Sequence, residues 1–287
     1  MSKRYRCSQR ISHLLLGCTL SVITCQAHAQ DSKTLPLIDA HSHYAQADTE
    51  AFNPQEIIGI LDTNRVEKIL ITSTPNQGTI KLYDYAPNRV IPFLSVYRTK
   101  ADKPDWMHRG AVVAEAEEAL KTGKFKGIGE LHIFAKDRKS PVLKGLVELA
   151  KANRLPMLIH GDAEIIDEIF QIDPSAQILW AHLGTKPEIT LLSSMLQRYP
   201  QNLYIDTSVR DKQLLAEGVL AKKWKAFLID HQDRLMAAID TFSVNRWKTY
   251  DLVVKDIQTW LADLPPEVAR KIARGNAERF FGLKEDI

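Results

Sequence analysis

The sequence predicts an α/β protein, a single-domain (β/α)8 TIM barrel, on three observations. From Leu35 onward, short apolar runs rich in Val, Ile and Leu alternate with longer stretches of helical periodicity, the pattern of βα units around a parallel sheet. About eight such runs can be counted, the number a closed barrel needs. No repeat, low-complexity tract or Pro/Gly/Ser linker divides the chain between them.

The segment before the first run reads as an address rather than structure. Lys3, Arg4, Arg6 and Arg10 precede an apolar run from Ile11 to Cys25 and then Ala27-His28-Ala29, the layout of a secretory signal cleaved after Ala29. The run is broken by polar residues and short of the roughly 20 apolar residues a spanning helix needs, so the mature chain is expected to have no stable membrane span. Leu15-Leu16-Gly17-Cys18 offers a lipoprotein box as the lower-ranked alternative, with Cys18 as the anchor. The barrel domain is accordingly placed at residues 30–287, in the periplasm or outside the cell.

Export changes the charge argument. The chain carries 38 Lys and Arg against 35 Asp and Glu; taking away the four basic residues of the leader leaves 34 against 35, a net charge of −1. No basic excess remains to grip a nucleic-acid backbone, so the expected partner is a small molecule. All three cysteines, Cys7, Cys18 and Cys25, fall in the leader, so any metal must be held by nitrogen and oxygen.

The runs, in order, are Leu35 to His41, Val66 to Thr74, Val90 to Tyr97, Phe125 to Ile133, Pro156 to His160, Gln177 to His182, Asn202 to Asp206 and Leu235 to Asp240. Between them, Pro141 to Asn153 and Ile189 to Gln197 each carry an apolar face that can cover a barrel. The connection from Asn76 to Asn88 has room for only a turn or two, which leaves an open eight-stranded sheet as the alternative. Pro266 to Leu283 reads as a closing helix interrupted at Gly275-Asn276, where the asparagine would cap or break it.

Five of the seven mature histidines, His41, His43, His132, His160 and His182, sit at the carboxyl ends of these strands, the face where barrels place their active sites. His41 and His43 are two apart, so on an extended backbone both rings face one side and can hold one ion. Glu130 in Gly129-Glu130-Leu131-His132, His160, His182 in Trp180-Ala181-His182-Leu183-Gly184, and Asp240 in Ala238-Ile239-Asp240-Thr241 follow apolar runs in the same way. A buried strand end is a costly place for an ionisable side chain unless it is paired or bound to metal. His108 and His231 fall in helices or loops and are given no role.

With these motifs in this order the sequence resembles the amidohydrolase superfamily, in its amidohydrolase-related branch, with some likeness to TatD-type hydrolases in the Gly-Ile-Gly-Glu130 segment. The resemblance runs from Ile38-Asp39-Ala40-His41-Ser42-His43 to Gly275-Asn276-Ala277-Glu278-Arg279-Phe280-Phe281. It implies a metal held by His41, His43 and Asp240, with His160 and His182 serving a second metal or, in mononuclear relatives, one ligand and one electrophilic histidine. Lys126 lies too far back on strand four for the carboxylated-lysine role, which makes Glu130 the candidate bridging ligand. The implied cofactor is one or two divalent ions, zinc first, with manganese or iron as alternatives. Relatives often carry Gly-Ser-Asp-x-Pro around the last aspartate; this chain has Ala-Ile-Asp240-Thr-Phe, a departure in the local loop.

Asp240 is then the expected general base and His182 its catalytic partner. His132 could contact substrate, metal or only a neighbouring carboxylate, and Arg98 and Arg210 could each fork an anionic substrate group. Trp247 and Tyr250 could wall the pocket or pack a helix onto the barrel. The reading is hydrolysis of an amide or lactone, with metal-dependent decarboxylation or TatD-like phosphoester cleavage as other chemistries and a metal-binding periplasmic binding protein as the non-enzyme alternative.

Overall fold

The computed structural model describes residues 34–283. The leader reading at residues 1–29, with its three cysteines, lies outside them. Eight parallel strands stand side by side in sequence order: β1 (Leu37–Ser42), β2 (Val66–Thr72), β3 (Val90–Leu94), β4 (Gly127–Ile133), β5 (Met157–Gly161), β6 (Ile178–Trp180), β7 (Leu203–Asp206) and β8 (Leu235–Met236). The sheet curls back on itself, because the Ala40 N–H donates to the Ala237 carbonyl at 3.2 Å and the Asp240 N–H to the His41 carbonyl at 2.7 Å. This is the (β/α)8 barrel, not the open sheet.

Successive side chains on a strand face opposite ways, and the buried residues sort on that rule. Ile38, Leu70, Ile91, Phe93, Leu158, Leu179, Tyr204 and Met236 form one apolar cluster inside the ring. Their neighbours Leu37, Ile69, Ile71, Met157, Ile159, Ile178, Leu203 and Ile205 join a larger cluster with the surrounding helices. Each such side chain, fully buried, contributes about 1.5–3 kcal/mol.

The helices begin where capping chemistry starts them. In Pro54–Thr63, Asn53 accepts from the Glu56 N–H at 3.0 Å while Glu56 accepts from the Asn53 N–H at 2.7 Å, a reciprocal box with proline at the first helical position. In Pro141–Asn153, the Ser140 hydroxyl accepts from the N–H groups of Val142 and Leu143. The connection after β2 holds a nine-residue helix, Gln77–Tyr85, so that βα unit is complete. Among the described residues no helix is long and apolar enough to cross a membrane.

The base of the barrel is closed from the far end of the chain. Helical turns run from Pro266 to Phe281 without a break, passing through a π-helical turn at Lys271–Gly275. Asn276 neither caps nor breaks it: its buried amide donates to the carbonyls of Gln232 and Leu235, both at 2.7 Å, tying the helix to the start of β8. That bond brings Phe280 and Phe281 against the inner cluster, with Phe281 edge-on to Phe93 at 5.9 Å. Trp247 and Tyr250 likewise brace rather than wall. Both are buried and stacked at 5.4 Å; Trp247 donates to the His43 carbonyl at 3.0 Å and the Tyr250 hydroxyl to Asp39 at 3.0 Å.

Away from the strand ends, Asp211 is buried beside Trp260, and burial pushes its carboxyl up to about 7. The native state therefore holds a proton that the unfolded chain releases near pH 4, so stability falls as pH rises from about 4 through 7. Three pKa units correspond to about 4 kcal/mol at most. Asp211→Asn is expected to flatten this part of the profile, read as the difference in thermal midpoint between pH 5 and pH 8 for the two proteins. An unchanged profile would remove Asp211 as the cause.

Candidate metal centre

The strand ends bring His41, His43, Glu130, His160, His182 and Asp240 together. Two overlapping sets of donors form, His41 with His43 and Asp240, and Glu130 with His160 and His182, each with its ligand atoms within 4.8 Å of one another. A third set joins His41 and His182 to Asp206. Glu130 spans the first two. Its Oε1 lies 2.9 Å from His160 Nδ1, 3.2 Å from His182 Nε2 and 3.6 Å from His41 Nε2, and its Oε2 lies 3.5 Å from His43 Nε2.

The partners of the outer ring nitrogens decide which nitrogen of each histidine faces inward. His43 Nδ1 sits 2.6 Å from the Thr72 carbonyl, an acceptor only, so Nδ1 donates there and Nε2 is the nitrogen turned inward. Nε2 faces Asp240 Oδ1 at 3.2 Å. His41 Nδ1 donates to Asp206 Oδ2 at 3.0 Å, which turns Nε2 inward. The Ser208 hydroxyl donates to Asp206 Oδ1, so Ser208 Oγ accepts from His182 Nδ1 at 2.7 Å, and His182 Nε2 faces inward, 3.2 Å from Glu130 Oε1 and 3.1 Å from His160 Nδ1. His41 Nε2 and Asp240 Oδ1 are buried without a hydrogen bond.

Unpaired acceptors of this kind are costly unless something positive sits between them. Ligands at 2.0–2.1 Å around a tetrahedral ion are about 3.3 Å apart, close to the 3.2–3.6 Å separations from His43 to Asp240 and from Glu130 to His41, His43 and His182. The residues thus fit a divalent cation. The electrostatics agree. Burial would raise Glu130, but His132 and His41 hold its carboxyl well below the usual range. Burial would lower His41, but Asp206 and Glu130 raise it well above an ordinary imidazole. Burial would raise Asp240 as well, and its contacts with His43 and His41 bring it below its ordinary value. The three carboxylates draw positive charge inward.

The backbone is shaped to this purpose. Gly129 has φ +129°, and a Cβ there would lie 2.2 Å from the Leu158 carbonyl oxygen, so only glycine lets Glu130 turn into the ring. His182 and Asp240 take left-handed φ values of +63° and +60°. Such backbone costs about 1–3 kcal/mol per residue and concentrates at functional sites.

Other expected site residues fall differently. His132 joins the cluster, with Nε2 2.8 Å from Glu130 Oε2 and its ring stacked on His160 at 4.2 Å. Arg98 is exposed and pairs with Asp102 at 3.4 Å, with no contact to the cluster among the described residues. Arg210 turns its guanidinium onto the carbonyls of His182 at 2.9 Å and Gly184 at 3.3 Å, fixing the His182 loop from behind. Asp206 was not singled out from the sequence, although it closes β7 just as the candidate ligands close theirs, and Asp206-Thr207-Ser208 after an apolar run was the available signal.

Comparison with known proteins follows this geometry. The amidohydrolase family model matches residues 23–283. The chain belongs to the amidohydrolase family. It is an enzyme of that hydrolytic class. Among solved structures, this amidohydrolase is similar to a TatD homologue from Escherichia coli K12 (14% identity, 87% of this chain and 99% of that one, TM-score 0.65). It is similar to the phosphotriesterase homology protein of Escherichia coli with phosphate in its active site (14%, 86% and 98%, TM-score 0.64). It is also similar to a probable 2-pyrone-4,6-dicarboxylic acid hydrolase from Acinetobacter baumannii with citric acid bound (14%, 86% and 100%, TM-score 0.61). At these identities the likeness is one of fold. No curated protein matches.

Proposed function

We propose that this amidohydrolase cleaves a carbonyl-centred bond, an amide or lactone, of a small molecule, with His41, His43 and Asp240 holding one divalent ion and Glu130, His160 and His182 holding a second. The observation that carries the reading is the convergence of inward nitrogens from His41, His43 and His182 on the buried carboxylates of Glu130 and Asp240, with His41 Nε2 and Asp240 Oδ1 left without a hydrogen bond. A divalent ion bound there, zinc by the nitrogen and oxygen donor set, supplies Lewis acidity that polarises a carbonyl and lowers the pKa of water to about 7. Asp240 takes the proton of the attacking water and delivers it to the leaving group. His182, with Nε2 4.0 Å from Asp240 Oδ2, borders the same space as a ligand of the second ion. The basic and apolar pattern of residues 1–29, read as a secretory leader, supports a site of action in the periplasm or outside the cell. The pyrone hydrolase likeness supports a lactone.

The test is metal analysis of protein purified without chelator, beside turnover of an ester, lactone, amide and phosphoester panel. Two equivalents of metal and turnover confined to carbonyl substrates are expected. Glu130→Ala should lower the metal to one equivalent or none. One equivalent unchanged by the substitution would take Glu130 off the ligand set, phosphoester turnover alone would favour TatD-like chemistry, and carbon dioxide release would identify a decarboxylase. Metal-free protein that turns over nothing would point to a binding protein.

A further inference from the structure

Anions entering the barrel mouth need a cation to meet them, and neither expected arginine is available: Arg98 engages Asp102 and Arg210 engages two backbone carbonyls. Lys103 is different. It stands in the loop after β3, half-buried, with Nζ 3.0 Å from His132 Nε2 and 5.7 Å above the Tyr97 ring. Among the described residues no carboxylate or carbonyl takes the other two N–H bonds of its ammonium.

The loop carrying Lys103 is pinned to β4 at the residue Lys103 touches. The Trp106 indole donates to the His132 carbonyl at 2.8 Å, and the His132 N–H donates to the Tyr97 hydroxyl at 2.7 Å. Arg109 adds a clamp from Asp102 to Glu115. The ammonium is therefore held in place rather than trailing in solvent. Its contact with His132 is also exchangeable. His132 Nε2 lies 3.0 Å from Lys103 and 2.8 Å from Glu130 Oε2, and one ring nitrogen either accepts from the ammonium or donates to the carboxylate. An incoming anion can take Lys103 without breaking a committed ion pair.

We propose that Lys103 is a specificity-determining residue that binds a carboxylate on the substrate, so that the enzyme acts on small carboxylate-bearing amides or lactones; this rests on the hydrolase reading above. Both contacts share His132 Nε2, so Nζ lies within about 6 Å of Glu130 Oε2. A small molecule bridges that distance with a carbonyl at the candidate metal centre and a carboxylate at Lys103.

The test is calorimetric titration of the zinc-loaded protein with glutarate and with butyrate, which has one carboxylate fewer. Wild type is expected to bind glutarate at least tenfold more tightly than butyrate. Lys103→Met should bring the ratio close to one with zinc content and thermal midpoint unchanged, and Lys103→Arg should restore part of it. Equal binding of the two ligands to wild type, including no binding of either, overturns the proposal, as does a ratio that survives Lys103→Met. Turnover is read separately. A Lys103-dependent glutarate preference in a protein that hydrolyses nothing on the panel would sink the hydrolase reading and leave the carboxylate site standing.

Discussion

Asp240→Asn is expected to lower turnover about a thousandfold while metal content stays near that of wild type. A positioned general base contributes about 10²–10⁴ in rate, and a thousandfold is about 4 kcal/mol of barrier. Asparagine has the same shape, keeps a neutral oxygen where Oδ1 lies 3.2 Å from His43, and is one of the few residues that accepts the left-handed backbone of φ +60° at this position. What it lacks is the ability to take a proton. Turnover under saturating zinc, with metal content measured on the same sample, is the check. Full activity in metal-loaded Asp240→Asn would end the general-base assignment.

The second large effect is expected at a residue that touches neither metal nor substrate in this scheme. Asp206 accepts from His41 Nδ1 with one oxygen and, with the other, from Ser208, which in turn accepts from His182 Nδ1. Oδ1 further accepts from the backbone N–H groups of His182 and Ser208, each at 3.0 Å. Asp206→Asn replaces one acceptor end with an NH2 donor, so at least one of the two histidines loses the partner that holds its other nitrogen turned inward. Outer partners of this kind typically govern metal affinity by 10–100-fold. A loss of that size is expected, measured by competition with a chromophoric chelator. Wild-type affinity in Asp206→Asn would make the carboxylate a packing residue only.

The candidate metal ligands were legible because an apolar run followed by an ionisable side chain is both a strand end and a place where charge is expensive. His41, His43, Glu130, His160, His182 and Asp240 all carry that mark, and the structure gathers them at one end of the ring. Asp206 carries it as well, yet an aspartate that ends a strand is equally ordinary turn chemistry, and its meaning lies in a bond to a residue 165 positions away. Lys103 leaves no local trace, since its direction depends on Trp106 and Tyr97 reaching His132 across the sheet. Arg210 has a physical reason to turn toward the main chain. Carbonyls in the left-handed stretch His182–Gly184 and beside Asp240 have lost their strand partners, and Arg210 and Arg246 satisfy them. β8 stops at Met236 although the apolar pattern continues to Asp240, because the next N–H groups leave the ladder: Ala237 donates to the Ile272 carbonyl and Ile239 to the Asp39 carboxylate.

The left-handed backbone at His182 and Asp240 also divides the centre by how freely it can change. Asp, Asn, His and Gly are the residues that occupy such φ values most readily. A glutamate at 240, the simplest lengthened carboxylate, would carry a folding penalty on top of any change in coordination. His43 and His160 stand at positions without positive φ, where a new donor brings no such burden. Selection for a different metal would therefore find its tolerated substitutions at the ends of β1 and β5, while the ends of their neighbours β8 and β6 stay fixed by their own main chain.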